Sequence, residues 1–394
     1  MSRKQLMLLF LCTLLPYIVG SAIMSLIPLY SRRLGANASE TGFSLAISFM
    51  VLALSSLGSG WLAGRFQRRK AFIVGAAALS VPVTLLVGEA QNIIGLTLLL
   101  SALWCIFGII TTMVNIITGL YASEKQRGRA FGLIGASLAL ARVLAGLTAG
   151  PVVDRWGFPA LFIATAGIYV ALVLVALFLE DKKVLPRRSA RKTMKQGTLG
   201  HPTLLLLMGA SILAFSVMYL DTMTRPLAMA ARRLNPTAIT MILAISGLAT
   251  LPLPYIMGWL SDRVGRRLTL MLCYLMPMVG IALMISASTI WQFGIAEVFL
   301  IVINSGIPVG SALIADLVEP EQLSVSLALY SATKWMGAVL AFTGTGITIQ
   351  YLGLTAAFYV AGVLALLAVL FVRLSLPKHS PLATQAFRKV KPSV

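Results

Sequence analysis

The chain has little of what a soluble enzyme or a nucleic-acid-binding protein works with. Only 11% of its 394 residues are charged, and Asp and Glu together number 12 against 32 Lys and Arg. It has two histidines, His201 and His379, and three cysteines, Cys12, Cys105 and Cys273. The cysteines all fall in apolar runs with no CxxC pair and no His-rich segment, so neither a disulfide framework nor a metal site is expected. A membrane enzyme would need a His or Cys cluster or paired carboxylates at headgroup level. The sequence offers neither, and no enzymatic activity and no cofactor are expected. A GxxxxGK(S/T) loop is missing too, which argues against ATP-driven pumping by this chain alone.

What abounds is apolar length. Hydrophobic residues make up 58% of the chain and the mean hydropathy is +0.91, beyond the reach of a water-soluble globule of ordinary composition. A bilayer core about 30 Å thick takes roughly 20 apolar residues per helix. Twelve runs of that kind are predicted, at 6–30, 41–64, 71–88, 93–120, 130–153 and 158–179, then 203–224, 238–261, 268–288, 291–315, 326–349 and 355–374. They are long and unbroken rather than alternating, which selects helices over a barrel. The first follows Arg3 and Lys4, exceeds the apolar core of a secretion signal and has no small-residue cleavage site, so it counts as a span.

The net charge of +20 is a matter of place more than size. With the amino terminus inside, 24 of the 32 Lys and Arg fall on inner loops, the central linker or the tail, six fall outside, and Arg142 and Lys334 lie within spans. This asymmetry predicts two cytoplasmic termini. It also explains the basic surplus by topology and contact with anionic lipid, without nucleic acid. A monomer in the cell membrane is expected, the inner membrane in a Gram-negative cell.

The stretch from Leu45 to Lys70 overlays that from Leu243 to Leu268 at a constant offset, pairing Gly60 with Gly258, Trp61 with Trp259, Arg65 with Arg263 and Arg69 with Arg267. The chain therefore reads as a duplicated six-span unit with both copies in the same orientation. The expected division is a first bundle at 1–180, a basic linker at 181–202, a second bundle at 203–375 and a cytoplasmic tail at 376–394.

Within that repeat, Gly258, Leu260, Asp262, Arg263, Gly265, Arg266 and Arg267 form GxLxDRxGRR after the eighth span. The first copy keeps Gly60, Leu62, Arg65, Arg68 and Arg69, with Gly64 in place of the acid and Gln67 in place of the second glycine. With twelve spans, a central linker and a duplication, the chain resembles the major facilitator superfamily of membrane transporters over essentially its whole length. The resemblance implies an all-α fold of two parallel, pseudo-symmetric six-helix bundles and alternating access. It also implies that the motif acid contacts the N-terminal end of a helix in the opposite half, latching the cytoplasmic side; the motif arginines as headgroup anchors are the alternative. A second likeness, to the antiporters of that superfamily, rests on Gly146, Gly150 and Pro151 of the fifth span, a GxxxGP followed by Asp154 where a glycine pair is usual. Plain helix packing explains those glycines equally well. Trp104 stands where drug antiporters of the group carry an Arg in the fourth span, and the first span has no acid.

Ionisable groups inside a bilayer cost several kcal/mol unless paired or hydrated, which makes each a functional candidate. Arg142 and Lys334 sit on spans related by the repeat, and Glu297 lies at a depth similar to Arg142. Either Arg142 and Glu297 pair across the halves as a gate or proton switch, or Arg142 and Lys334 receive an anionic substrate, or Arg142 snorkels outward. Asp221 with Arg225 reads as a helix-end pair, though Asp221 remains a coupling candidate. Asp316, Glu319 and Glu321 read as solvated. Asn115, Asn304 and Tyr17 are candidate hydrogen-bonding partners for substrate. Pro16, Pro28, Pro252, Pro254, Pro277 and Pro308 are candidate kinks. The expected function is proton-coupled efflux of a small organic solute. Transport of an anionic metabolite held by Arg142 and Lys334 is the alternative, and a substrate-free sensor or scaffold is the rival of another class.

Overall fold

The computed structural model describes residues 2–66, 68–121, 124–181, 202–318 and 320–375. The predicted linker, apart from its two ends, lies outside them, as do the tail 376–394, Gln67, His201, His379 and Glu319.

Twelve helices account for the described chain. The first bundle holds α1 (Arg3–Arg33), α2 (Ala38–Phe66), α3 (Arg69–Gly88) and α4 (Ile93–Tyr121), then a run Glu124–Leu177 that divides at Gly157. Gly157 has φ +79°, a left-handed conformation that glycine takes without a Cβ clash, and it splits the run into α5 (124–156) and α6 (158–177). The second bundle holds α7 (Pro202–Ala231), α8, α9 (Arg266–Ser286), α10, α11 (Pro320–Leu352) and α12 (Leu354–Leu374).

Two of these are jointed. α8 runs as Pro236–Thr250 and Leu253–Val264 with a 41° bend between them. Pro252 and Pro254 each remove a backbone donor there, so the ladder cannot continue through 251–252. α10 runs as Ile290–Ile301, a 3₁₀ turn Val302–Ser305 and Gly306–Leu317, with Pro308 just beyond the turn. The Tyr330 hydroxyl donates to the Gly306 carbonyl at 3.1 Å and so occupies an acceptor in this irregular stretch. Their counterparts in the first copy, α2 and α4, are single unbroken helices. Pro16, Pro28 and Pro277 lie inside helices that continue through them.

An even number of crossings puts Arg3 and Leu374 on the same side of the molecule, here called the terminal face. Large apolar side chains such as Leu98, Ile163 and Leu174 stand more than half exposed around the outside, a surface that only lipid tolerates.

The strongest packing between the bundles is α5 on α8 and α2 on α11, and on the far side it brings backbone against backbone. Gly42 abuts the Phe342 carbonyl and Gly346, while Gly146 and Gly150 abut Thr240 and Ala244. A Cβ at Gly247 would stand 2.8 Å from the Ala139 carbonyl. Small residues permit this approach. Polar bonds reinforce it: the Gly150 amide donates to Thr240 Oγ1 at 3.2 Å, and Ser39 Oγ donates to the Gly346 carbonyl at 3.3 Å. Asp154, at the end of α5, accepts from the Thr237 amide at 2.9 Å and from the Thr237 hydroxyl, capping the first turn of α8. Towards the terminal face the same helices part. Gly58, Gly60, Gly132, Gly135 and Gly258 have open space where a Cβ would go, and Leu57, Trp61 and Tyr255 are each more than 60% exposed. The molecule is closed on the far side and open on the terminal side.

Candidate functional site

The space between the bundles is a cavity of about 190 Å³ lined by both halves. Helical spacing selects the side chains that reach it. α1 contributes Tyr17, Ser21 and Met24, α5 contributes Leu138 and Arg142, and α10 contributes Glu297, Ile301 and Asn304, each series stepping by three or four residues along one face.

One wall is charged. Asp221 and Arg225, one turn apart on α7, form an ion pair with Nε to Oδ2 at 3.0 Å, and the same Nε stands 3.5 Å from Glu297 Oε2 on α10. All three residues are less than a tenth exposed. This corrects two expectations: Asp221 and Arg225 are part of the central cavity, and the cation beside Glu297 is Arg225 of the same bundle instead of Arg142. One guanidinium between two carboxylates leaves the group with one surplus negative charge, and Asp221 Oδ1 is buried with no hydrogen-bond donor. The guanidinium also fills the position between the carboxylates, and among the described residues no three His, Cys, Asp or Glu side chains converge.

Arg142 lines the same cavity, donating to Ser246 Oγ across the halves at 3.0 Å. Lys334 of α11 lies 5.2 Å from the ring centre of Trp335. Among the described residues neither cation is within 4.0 Å of a carboxylate. The opposite wall is aromatic. Phe49 is its hub, with ring centroids of Trp104, Tyr219 and Phe342 at 5.0, 5.3 and 5.1 Å and Trp335 at 6.1 Å. Tyr17 and Trp104 both pack on Phe107, at 5.1 and 5.2 Å. Trp104 Nε1 is buried without an acceptor.

Of the residues predicted from sequence, Tyr17, Arg142, Asp221, Glu297, Asn304 and Lys334 line this cavity. Asn115 does not; it is exposed on the terminal half of α4. Phe49, Tyr219, Trp335 and Ser246 were missed. Nothing local sets Phe49 apart from the other 16 phenylalanines, whereas Arg225 carried a usable signal in its i, i+4 spacing from Asp221.

The glycine and arginine motifs lie far from the cavity, on the terminal face. Gly265 has φ +97° and forms the turn from α8 to α9. Arg263 lies over Trp259 at 4.0 Å, and Arg65 over Trp61 at 5.6 Å, the same stacking in both copies. Arg69 pairs with Asp181 beyond α6 at 3.6 Å, and Arg267 donates to the Arg373 carbonyl on α12, so each copy ties its motif to the last helix of its own bundle. Arg266 pairs with Asp316; Asp316, expected to be solvated, thus has a partner. Asp262 is exposed and makes no ion pair among the described residues, as a latch would when the terminal side is open. Arg68 is exposed as well. In α5, Gly146 and Gly150 support the contact with α8, and Pro151 follows them half-buried.

Comparison with known proteins agrees with this architecture. Among solved structures, a mutant of the nucleoside transporter NupG superposes with a TM-score of 0.79 at 13% identity, covering 94% of this chain and 98% of that one. A D-xylose-proton symporter gives 0.77 at 12% identity, covering 95% and 98%. Among curated sequences, the Multidrug resistance protein MdtG of Citrobacter koseri is 27% identical over 296 residues, 71% of this chain and 72% of its own length. The MdtG of Proteus mirabilis is 25% identical over 355 residues, covering 86% and 87%. The description "Major Facilitator Superfamily" matches residues 9–230 and again 204–393. With both halves matched and a two-bundle cavity between them, the chain belongs to the Major Facilitator Superfamily, as a multi-pass secondary transporter of small molecules and not an enzyme.

Proposed function

We propose that this transporter exports a small organic solute in exchange for protons, with Asp221 and Glu297 as the proton-carrying groups. The observation that carries the reading is the buried cluster of Asp221, Arg225 and Glu297 in the cavity wall. With both carboxylates ionised, Arg225 balances one of them; a proton on either makes the cluster neutral. Dry burial favours the protonated, neutral cluster and hydration favours proton release, so opening the cavity to one side and then the other loads and unloads the proton. Arg142, Tyr17, Tyr219 and Lys334 face the same space. The distant likeness to MdtG proteins, named for multidrug resistance, supports export over uptake.

Sidedness follows from charge. The terminal face carries Arg65, Arg68, Arg69, Arg263, Arg266 and Arg267, a basic surplus that supports a cytoplasmic placement of that face. The open cavity then faces inward and the Asp154 cap closes the outer side. Both bundles line one shared cavity, so a single chain supplies a whole site.

The reading is tested in cells that express the chain and are loaded in turn with ethidium, fluorescein and a neutral dye. At least one dye leaves faster than from cells without the chain, a protonophore abolishes the difference, and Glu297→Gln lowers the proton-driven component at least tenfold. Efflux that survives the protonophore, or full proton dependence in both Glu297→Gln and Asp221→Asn, overturns it.

A further inference from the structure

The same cavity carries information about what it holds, and the inference drawn from it rests on the site being the transport site just described. Five ionisable side chains of three cations and two acids reach this space: Arg142, Arg225, Lys334, Asp221 and Glu297. Both acids are engaged by Arg225. Arg142 spends one N–H on the neutral hydroxyl of Ser246, and Lys334 has a tryptophan ring beside it. Two cations therefore face the space without an acid partner among the described residues, one from each bundle. A guanidinium presents five donors in a planar fork and an ammonium presents three, so most of their donors stand free.

The surrounding surface says what kind of anion they would receive. Phe49, Trp104, Phe107, Tyr17, Tyr219 and Trp335 form the adjoining wall, and aromatic rings in offset or edge-on contact accept another ring in the same manner. Trp104 is 6% exposed, lines the cavity, and has its Nε1–H buried without an acceptor. Trp104 therefore meets the cavity as a ring and not through its N–H. The volume of about 190 Å³ sets the scale: an apolar cavity of about 150 Å³ holds one benzene ring.

We infer that the transported solute is a small aromatic monoanion, a one- or two-ring carboxylate or a close analogue. Its charge lies between Arg142 and Lys334 and its ring against Phe49 and Trp104. Binding draws one cation from each bundle onto the same anion, which is how a ligand couples to the motion of two halves. Organic cations are disfavoured, because the three cations and two acids of the cavity leave one positive charge in excess and both acids already contact Arg225.

The experiment is equilibrium binding to the full chain purified in detergent, by calorimetry with tryptophan fluorescence alongside. The probes are benzoate, benzyl alcohol, benzylammonium and acetate. Benzoate is expected to bind at least tenfold more tightly than benzyl alcohol or acetate, and benzylammonium more weakly still. Arg142→Gln and Lys334→Gln each weaken benzoate tenfold or more and leave benzyl alcohol unchanged, and Arg142→Lys recovers part of the loss. Unaltered melting temperatures identify folded variants. Benzylammonium binding as tightly as benzoate, or benzoate binding untouched in both Gln variants, overturns the inference. Proton exchange is separable: it is read from dye efflux with and without the protonophore, so a failure of coupling there with this binding pattern intact removes only the exchange mechanism.

Discussion

Arg225 shows how a charge is made tolerable inside a membrane protein. Its guanidinium is 6% exposed, yet it has carboxylates at 3.0 and 3.5 Å and so never faces hydrocarbon alone. Removing one member of a buried ion group leaves the others uncompensated, at a cost of about 3–5 kcal/mol. Arg225→Leu strands two carboxylates side by side and is expected to lower the thermal stability of the purified protein by an amount of that order. Glu297→Gln leaves the Asp221–Arg225 pair whole and is expected to cost far less. Melting curves of the two variants decide the matter, and equal losses would show that the three charges do not act as a unit. The same cluster marks the limit of sequence reading. Asp221 and Arg225 resembled the polar edge of a span predicted to stop at 224, whereas α7 continues to Ala231. Hydropathy registers the two charges separately and is blind to Glu297, 72 residues further on in the chain, which joins them in space. Arg142, Lys334 and Glu297 stood out because each was a charge in an apolar run; Phe49 and Trp335 were apolar among apolar, and only tertiary packing makes a wall of them.

Among the elements, the contact between α5 and α8 closes the far side, the outer one on the proposed sidedness. The glycines that resembled an antiporter motif supply the flat surface, and Asp154, which departs from that motif, supplies a polar tie to α8. The N-cap of α8 is Asn235, so Asp154 adds a further acceptor for its first turn; one such hydrogen bond is worth about 1 kcal/mol net, or roughly fivefold in an equilibrium constant. Asp154→Ala is therefore expected to shift the protein about fivefold toward the outward-open form. Gly150→Leu, which drives a side chain into Thr240 and Pro236, is expected to hold the outer side open. Thr222→Cys, in a background lacking Cys12, Cys105 and Cys273, reports both through its reaction with a membrane-impermeant maleimide from outside. Slower labelling in either variant would contradict this role for the contact. The departure from the motif was legible as a letter; its meaning required knowing that Thr237 lies opposite.

At the scale of the whole molecule, the duplication, the twelve crossings and the family resemblance were all visible in the sequence, since each rests on patterns repeated over hundreds of residues. Conformation was not: a protein that must occupy two states has one sequence for both. In this arrangement, open on the terminal side, Asp262 has no ion-pair partner among the described residues. Asp262→Asn is thus expected to leave membrane insertion and the stability of this form unchanged, while slowing transport severalfold by weakening closure of the cytoplasmic side. Normal transport in that variant would return the motif to a lipid-anchoring role.

The joints in α8 and α10 have a consequence for the stroke itself. A straight rod passes displacement from one end to the other undiminished; a hinged strut lets one end travel while the other stays. α2 and α4 are rods, and their twins at the same places in the second copy are hinged. Twofold kinship in sequence is therefore expected to give unequal motion, with the amino-terminal half moving as a rigid unit and the carboxy-terminal half bending at its joints.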